Sequence, residues 1–294
     1  MSTHGTSARR GRPRAGRPPR AAAALAAALL LGGCVNETRE VAIGNQIASQ
    51  INAQVPLVQD VPLNLYINDL GRMLAHHSQR PDLDYYFYIV DSPALNAFAL
   101  PGGHVYVNRG LIERTSDISE LAGILAHEIG HVAARHGAEN LQRQMRTRSM
   151  ARVMYQLILN REPMLNQEAL EVGSALWNAQ NSRAAEQEAD HLAVEYLVQS
   201  GVDPRGMLSL FSALWEEEQR VPASESVSWF STHPGTAARM EATRAQIRAL
   251  PHTAKPLARN NESYAAFLRR LSDQPRALGQ ILLPAGHPVV PAQR

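Results

Sequence analysis

The chain is almost without cysteine: Cys34 is the single one in 294 residues. A disulfide framework is therefore excluded, and stability has to come from packing. Long apolar runs are missing as well. Ala21–Leu31 spans eleven residues, well short of the roughly 20 that a membrane-spanning helix needs, and nothing of comparable length follows it. Acidic residues are absent from residues 1–34, which carry Arg9, Arg10, Arg12, Arg14, Arg17 and Arg20. The formal charge of +2 is thus a property of that segment. Without it 23 basic and 27 acidic side chains remain, a net charge of −4, so no nucleic-acid partner is expected. Lysine is scarce too, with Lys255 the only one, and no function follows from that.

What is present at the N-terminus reads as an export signal. A basic stretch precedes a short apolar run, which ends in Leu31-Gly32-Gly33-Cys34. Small residues before a cysteine at that point predict a bacterial lipoprotein signal, residues 1–33, cleaved before Cys34. Acylation of the thiol and the new amine would give Cys34 a stable anchor in a membrane. An unlipidated signal peptide is the competing reading. Val35 rather than Asp follows the cysteine, which favours the periplasmic face of the outer membrane. The remaining residues, about 260, suffice for one large domain, expected over 34–250, with a C-terminal helix and tail over 251–294.

The chemistry begins at His127-Glu128-Ile129-Gly130-His131. Leu121, Ile124, Leu125, Ile129 and Val132 fall at helical spacing, which predicts a helix over Asp117–Gly137, with Asp117 and Glu120 as a capping box. Positions four apart share a helix face, so the two imidazoles aim at one spot. Neutral imidazole nitrogens suit Zn²⁺, and Glu128 beside them can deprotonate a water at the ion. The pattern is the His-Glu-x-x-His signature of zinc peptidases.

A catalytic zinc ion needs a third protein ligand. Ser182 through Leu197 reads as a helix that stops near Gly201 and carries Glu186, Glu188 and Asp190. Glu186 and Asp190 share a face, while Glu188 lies about 200° round from Glu186 on an ideal helix. Glu186 is the expected ligand. Asp190 is its expected outer partner, accepting an N–H from a ligating histidine. One Zn²⁺ per chain is expected.

Elsewhere helices are predicted over Glu37–Ile51, Leu63–Ser78, Leu141–Leu159, Leu165–Ala179, from Asp203-Pro204 to about Glu218, over Pro234–Leu250 and over Glu262–Leu271. Tyr85–Val90 reads as a strand. Asn96–Leu100 and Val105–Asn108 flank Pro101-Gly102-Gly103 as a hairpin. His104 is expected to face solvent.

The ordered set His127-Glu128-x-x-His131, Glu186-x-x-x-Asp190, Asn96–Val107 before the first motif and Thr232-His233-Pro234 with Arg239 after the second resembles a zinc metallopeptidase family. That family includes the CAAX prenyl protease and the heat-shock protease HtpX, and the resemblance covers roughly Val41 to Leu250. It implies a gluzincin: an α+β, mainly helical zincin fold with a small sheet whose edge strand lines the active-site cleft. It further implies two histidines and one glutamate on zinc, with Glu128 as general base. Lacking apolar spans, the chain is most similar to the family's periplasmic lipoprotein branch, of the BepA and LoiP type. The substrates this implies are extended segments of unfolded or misassembled envelope proteins.

Two further site expectations follow. In a zincin an exposed edge strand beside the ion can take on substrate as an added strand. Asn96, Ala97 and Phe98 are the candidates. His233 is expected to project from the N-terminus of a helix begun by Pro234. There it either donates to the oxyanion of the attacked carbonyl or takes the fourth zinc position and silences the site, with a loose flank at Val221–Ser231. In the latter case the protein acts mainly as a chaperone-like strand binder. Arg239 is expected to pair with a carboxylate such as Asp190.

Overall fold

The computed structural model describes residues 36–145, 182–220, 229–235, 237–251 and 262–276. The expected signal, Cys34, and most of the two helices expected over 141–179 lie outside the described residues. Among the described residues no helix is long and apolar enough to cross a membrane.

Helix α1 (Glu37–Asn52) starts where Asn36 Oδ1 accepts from Arg39 N. It buries Ile43, Ile47, Ala48 and Ile51 along one stripe. Helix α2 (Val61–Ala75) begins two residues before the expected start, because Asp60 caps it through Leu63 N and Pro62 fits the first turn. Strands β1 (Tyr86–Val90), β2 (Ala97–Leu100) and β3 (His104–Asn108) form one sheet in the order β1-β3-β2. β3 runs parallel to β1 and antiparallel to β2, with Ala97 opposite Val107 and Phe98 opposite Tyr106. The β2–β3 turn needs left-handed backbone at Gly102 (φ 82°) and Gly103 (φ 95°). Glycine adopts it without steric cost.

After a single turn, α3 (Arg109–Ile112), comes α4 (Ile118–Ala133). Asp117 Oδ1 accepts from Ser119 N and Glu120 N, while Glu120 reaches back to Ser116 N and Oγ. Every residue from Ser119 to Ala133 is buried. α4 is the core helix, packed against β2, α2, α6 (Arg183–Gln199) and α7 (Arg205–Arg220). It stops short of Gly137. Ala134 caps it, Arg135 takes a left-handed φ of 62°, and a new helix α5 (His136–Met145) departs at once.

The last elements are α8 (Trp229–Thr232), α9 (Ala237–Arg248) and α10 (Glu262–Asp273). The helix expected from Pro234 therefore begins at Ala237, and Thr232-His233-Pro234 leaves the end of α8. α10 joins the main core through Tyr264, Phe267 and Leu271. Buried Arg109 holds its end, donating to Ser272 O and Gln274 O while pairing with Asp91 and Glu113. His104 does not face solvent. It is buried, with Nε2 2.7 Å from Asn45 Oδ1 and Nδ1 3.2 Å from Tyr88 Oη. The α1 helix covers the face of the sheet that alternation alone left open.

Candidate metal centre

Two helices supply the candidate ligands. α4 carries His127 and His131 one turn apart, and α6, capped by Ser182 through Ala185 N, carries Glu186 in its first turn. The helices meet closely because of the glycine inside the five-residue motif. A Cβ at Gly130 would lie 3.0 Å from Ala189 O and 3.1 Å from Ala189 Cα. Ala189 lies three residues after Glu186 and directly before Asp190, so Gly130 sets how near those carboxylates come.

The distances describe a small polyhedron. His127 Nε2 is 3.1 Å from His131 Nε2 and 3.5 Å from Glu186 Oε2, and His131 Nε2 is 3.2 Å from Glu186 Oε1. His233 Nδ1 is 3.2 Å from both His127 Nε2 and Glu186 Oε1. One ligand atom from each of the four residues lies within 4.8 Å of the others, and all four residues are buried. Donors 2.0–2.1 Å from a shared tetrahedral centre stand about 3.3–3.4 Å apart. The observed edges bracket that value, so the group fits a metal ion.

Charge gives an independent test. Glu128, Glu186 and Asp190 are buried, and Arg239 is the guanidinium set against them. With His127 neutral, as a ligating imidazole must be, a divalent cation would offset the negative charge that Arg239 leaves over. Glu128 Oε1 and Glu186 Oε2 are also buried without a directed hydrogen bond.

Titration follows the same field. Burial works against a charge on His127, but the Asp190 and Glu186 carboxylates outweigh it and raise the imidazole to about 9. Burial pushes His131 down to about 3. Burial would raise Glu186, yet His233, His127 and His131 hold it well below the usual carboxylate range. Asp190 is lowered by His127 and Arg239 against its own burial. Glu128 goes the other way, raised chiefly by burial.

Around these donors lies a second layer. His127 Nδ1 is 2.9 Å from Asp190 Oδ1, within reach though off the ideal donor direction. Arg239 grips Asp190 with two nitrogens and Glu186 with a third. His131 Nδ1 is 2.8 Å from His136 Nδ1, and His136 Nε2 is 3.3 Å from Glu188 Oε2. Sequence reasoning misses His136. It sits five residues after His131, a spacing that regular helix geometry does not bring back to the same face, and only the left-handed turn at Arg135 does so.

The β2 edge meets the site at one point. His233 Nε2 is 3.3 Å from Ala97 O and 3.4 Å from Glu128 Oε1, and Thr232 Oγ1 donates to Asn96 Oδ1. β2 is an edge strand, but it is not open: Ala97 is 0% and Phe98 5% exposed. The expectation of an exposed edge is corrected in that respect. His233 follows a helix end, not a helix start, so no N-terminal dipole acts on it. The Trp229 ring stacks on it with centroids 4.2 Å apart. Residues 221–228 of the expected loose flank lie outside the described residues, and Trp229–Thr232 is helical.

Fold and site together define a class: proteins with a buried metal centre of the His-Glu-x-x-His type. The sequence places the chain within that class. Residues 63–247 match peptidase family M48, and the chain belongs to that family. It is 31% identical over 250 residues to the beta-barrel assembly-enhancing protease of Yersinia pestis, covering 82% of this chain and 50% of that protein. It is 29% identical over 210 residues to the protein of the same name in Escherichia coli (strain K12), covering 69% and 42%. The mitochondrial metalloendopeptidase OMA1 of Schizosaccharomyces pombe is 29% identical over 181 residues, covering 61% and 51%. The chain thus spans about half the length of the curated relatives it matches.

Proposed function

We propose that this protein is a zinc endopeptidase of the bacterial cell envelope that cuts extended segments of unfolded or misassembled proteins. The observation that carries the reading is the set of 3.1–3.5 Å edges joining His127, His131 and Glu186. Two imidazoles and one carboxylate are a donor set that suits zinc. Bound there, zinc supplies a Lewis acid for the scissile carbonyl and lowers the pKa of a water. The chain's own groups do the rest. Glu128, raised by burial, takes the proton of the attacking water and returns it to the leaving amine. Asp190 and Arg239 hold His127 and Glu186 in register. Asn96, Ala97 and Phe98 form the strand beside the donor cluster, and a peptide chain can pair along it only where that buried edge is uncovered. Cys34 anchors the protein by lipid to the periplasmic face of the outer membrane. The name of the bacterial relatives, which ties them to beta-barrel assembly, supports a role in protein quality control there.

A second reading is favoured by one contact. His233 Nδ1 stands where a fourth donor would, 3.2 Å from His127 Nε2 and from Glu186 Oε1. With that position filled, the protein grips exposed strands and cuts seldom. Metal analysis and casein turnover on the full-length wild type and on Glu128→Gln decide between the readings. The peptidase reading expects one zinc per chain in both proteins, chelator-sensitive turnover in wild type, and a loss of roughly 10²–10⁴-fold in the variant. Casein cleavage that persists in Glu128→Gln refutes the assignment.

A further inference from the structure

The two histidines of α4 have unlike outer partners. His127 turns its Nδ1 to Asp190, a carboxylate that Arg239 holds by two nitrogens. His131 turns its Nδ1 to another imidazole, His136, at 2.8 Å. His136 is only 6% exposed, and its far nitrogen, Nε2, looks out to Glu188 Oε2 at 3.3 Å. Glu188 itself is 60% exposed at its side chain. So a row of three side chains leads from the donor cluster to solvent.

The direction of that row is fixed once the inner end is fixed. His131 Nε2 faces the donor cluster, 3.1 Å from His127 Nε2 and 3.2 Å from Glu186 Oε1. A nitrogen that gives its lone pair to a metal carries no proton, so the His131 proton sits on Nδ1. Two nitrogens 2.8 Å apart need one donor and one acceptor. His131 Nδ1–H therefore donates, and His136 Nδ1 accepts. His136 then carries its own proton on Nε2 and donates it to Glu188. No other distribution of these protons satisfies all three contacts with neutral rings.

We infer that His136 is the positioning residue of His131, with Glu188 fixing the tautomer of His136 in turn. It orients the second imidazole of the motif as a ligand, while Asp190 serves the first. The inference rests on the metal reading given above. Its local cause is the turn after α4. Arg135 at φ 62° sends the chain back so that the first residue of α5 lies against the side chain five positions earlier. Arg135 Nε is in turn held by buried Glu40, 2.8 Å away.

The experiment uses the full-length protein in detergent. His136→Leu and His136→Gln are both within about a methylene of histidine in size and differ in whether an acceptor faces the His131 N–H. Zinc affinity is read by chelator competition, and the site geometry by the visible spectrum of the Co²⁺-loaded protein. Lost outer partners of metal ligands cost about 10–100-fold in affinity. The expected result is a loss of that size and an altered Co²⁺ spectrum in His136→Leu, near-wild-type behaviour in His136→Gln, and a smaller loss in Glu188→Leu. Should His136→Leu fail to fold, His136→Ala takes its place with the same expectation. Wild-type affinity and spectrum in a folded His136→Leu or His136→Ala overturn the positioning role alone. A wild type that holds no stoichiometric metal overturns the metal reading, and this inference with it.

Discussion

Arg239 holds Asp190 at both carboxylate oxygens, Nε to Oδ2 at 2.7 Å and Nη2 to Oδ1 at 2.8 Å. The same guanidinium reaches Glu186 Oε2 at 2.7 Å with its remaining nitrogen. One side chain from α9 thus spans the carboxylate on the donor cluster and the carboxylate behind His127. Its carbonyl contacts, His233 O and Pro234 O, tie it to the His233 segment as well.

Arg239→Ala leaves two buried carboxylates without their cation. Breaking a buried pair on one side costs about 3–5 kcal/mol, so this variant should be strongly destabilised in urea. Arg239→Lys is not a mild change here, because an ammonium cannot serve three oxygens in a planar fork. It should stay folded yet bind zinc more weakly than wild type. Equal zinc affinity in Arg239→Lys would argue that the clamp is irrelevant to the site.

Gly130→Ala adds one carbon against backbone that cannot yield as a side chain would. The clash, at 3.0–3.1 Å from Ala189, pushes α6 from α4. Overpacking of this kind costs about 1–3 kcal/mol. The expected outcome is a lower Tm together with weaker zinc binding, since Glu186 and Asp190 ride on the displaced helix. A drop in Tm with intact zinc affinity would mean that the helices adjust without moving the carboxylates.

His233→Ala opens the corner that His233 Nδ1 fills. If that nitrogen closes the site, turnover of unfolded casein rises in the variant while zinc stoichiometry stays at one. A fall in turnover with zinc retained assigns His233 to oxyanion stabilisation through Nε2, and unchanged turnover rules out both roles.

His104 makes stability depend on acid. Burial lowers its pKa to about 4, against the model-peptide value of 6.5. Below pH 6.5 the unfolded chain takes up a proton that the folded chain refuses. Stability from this group is therefore full above about pH 6.5 and lost as pH falls toward 4, by up to about 3 kcal/mol at 1.36 kcal/mol per unit. Urea unfolding at pH 7 and pH 4.5 should show a smaller difference in His104→Gln than in wild type. An identical difference in the two proteins would place the acid sensitivity elsewhere.

Much of this architecture is legible in the sequence, for identifiable reasons. The α4 helix announces itself through its apolar spacing and Asp117. Glu186 and Asp190 are readable because four residues make one helical turn. The β2–β3 hairpin is readable because Gly102 and Gly103 allow a turn that other residues resist. What escapes are the features made by backbone departures and by distant packing. No local pattern announces the left-handed Arg135, so the end of α4 and the place of His136 are missed. The α1 helix covers His104 from 59 positions away, and strand alternation alone sends that imidazole to solvent. Pro234 suggests a helix start, but α8 precedes it and Trp229 anchors that turn in the core, so His233 enters from the opposite end of a helix.

The buried Arg109 has a bearing on how this protein can be shortened. The family match ends at residue 247, which invites cutting there. Yet Arg109 leans on Ser272 O and Gln274 O, the Tyr264 and Phe267 rings pack on Tyr66, and Leu271 lies in the same core. A fragment trimmed at residue 247 would leave the Arg109 guanidinium without two of its acceptors and uncover an apolar patch. A piece that keeps these contacts extends to about Arg276, past the end of the family match.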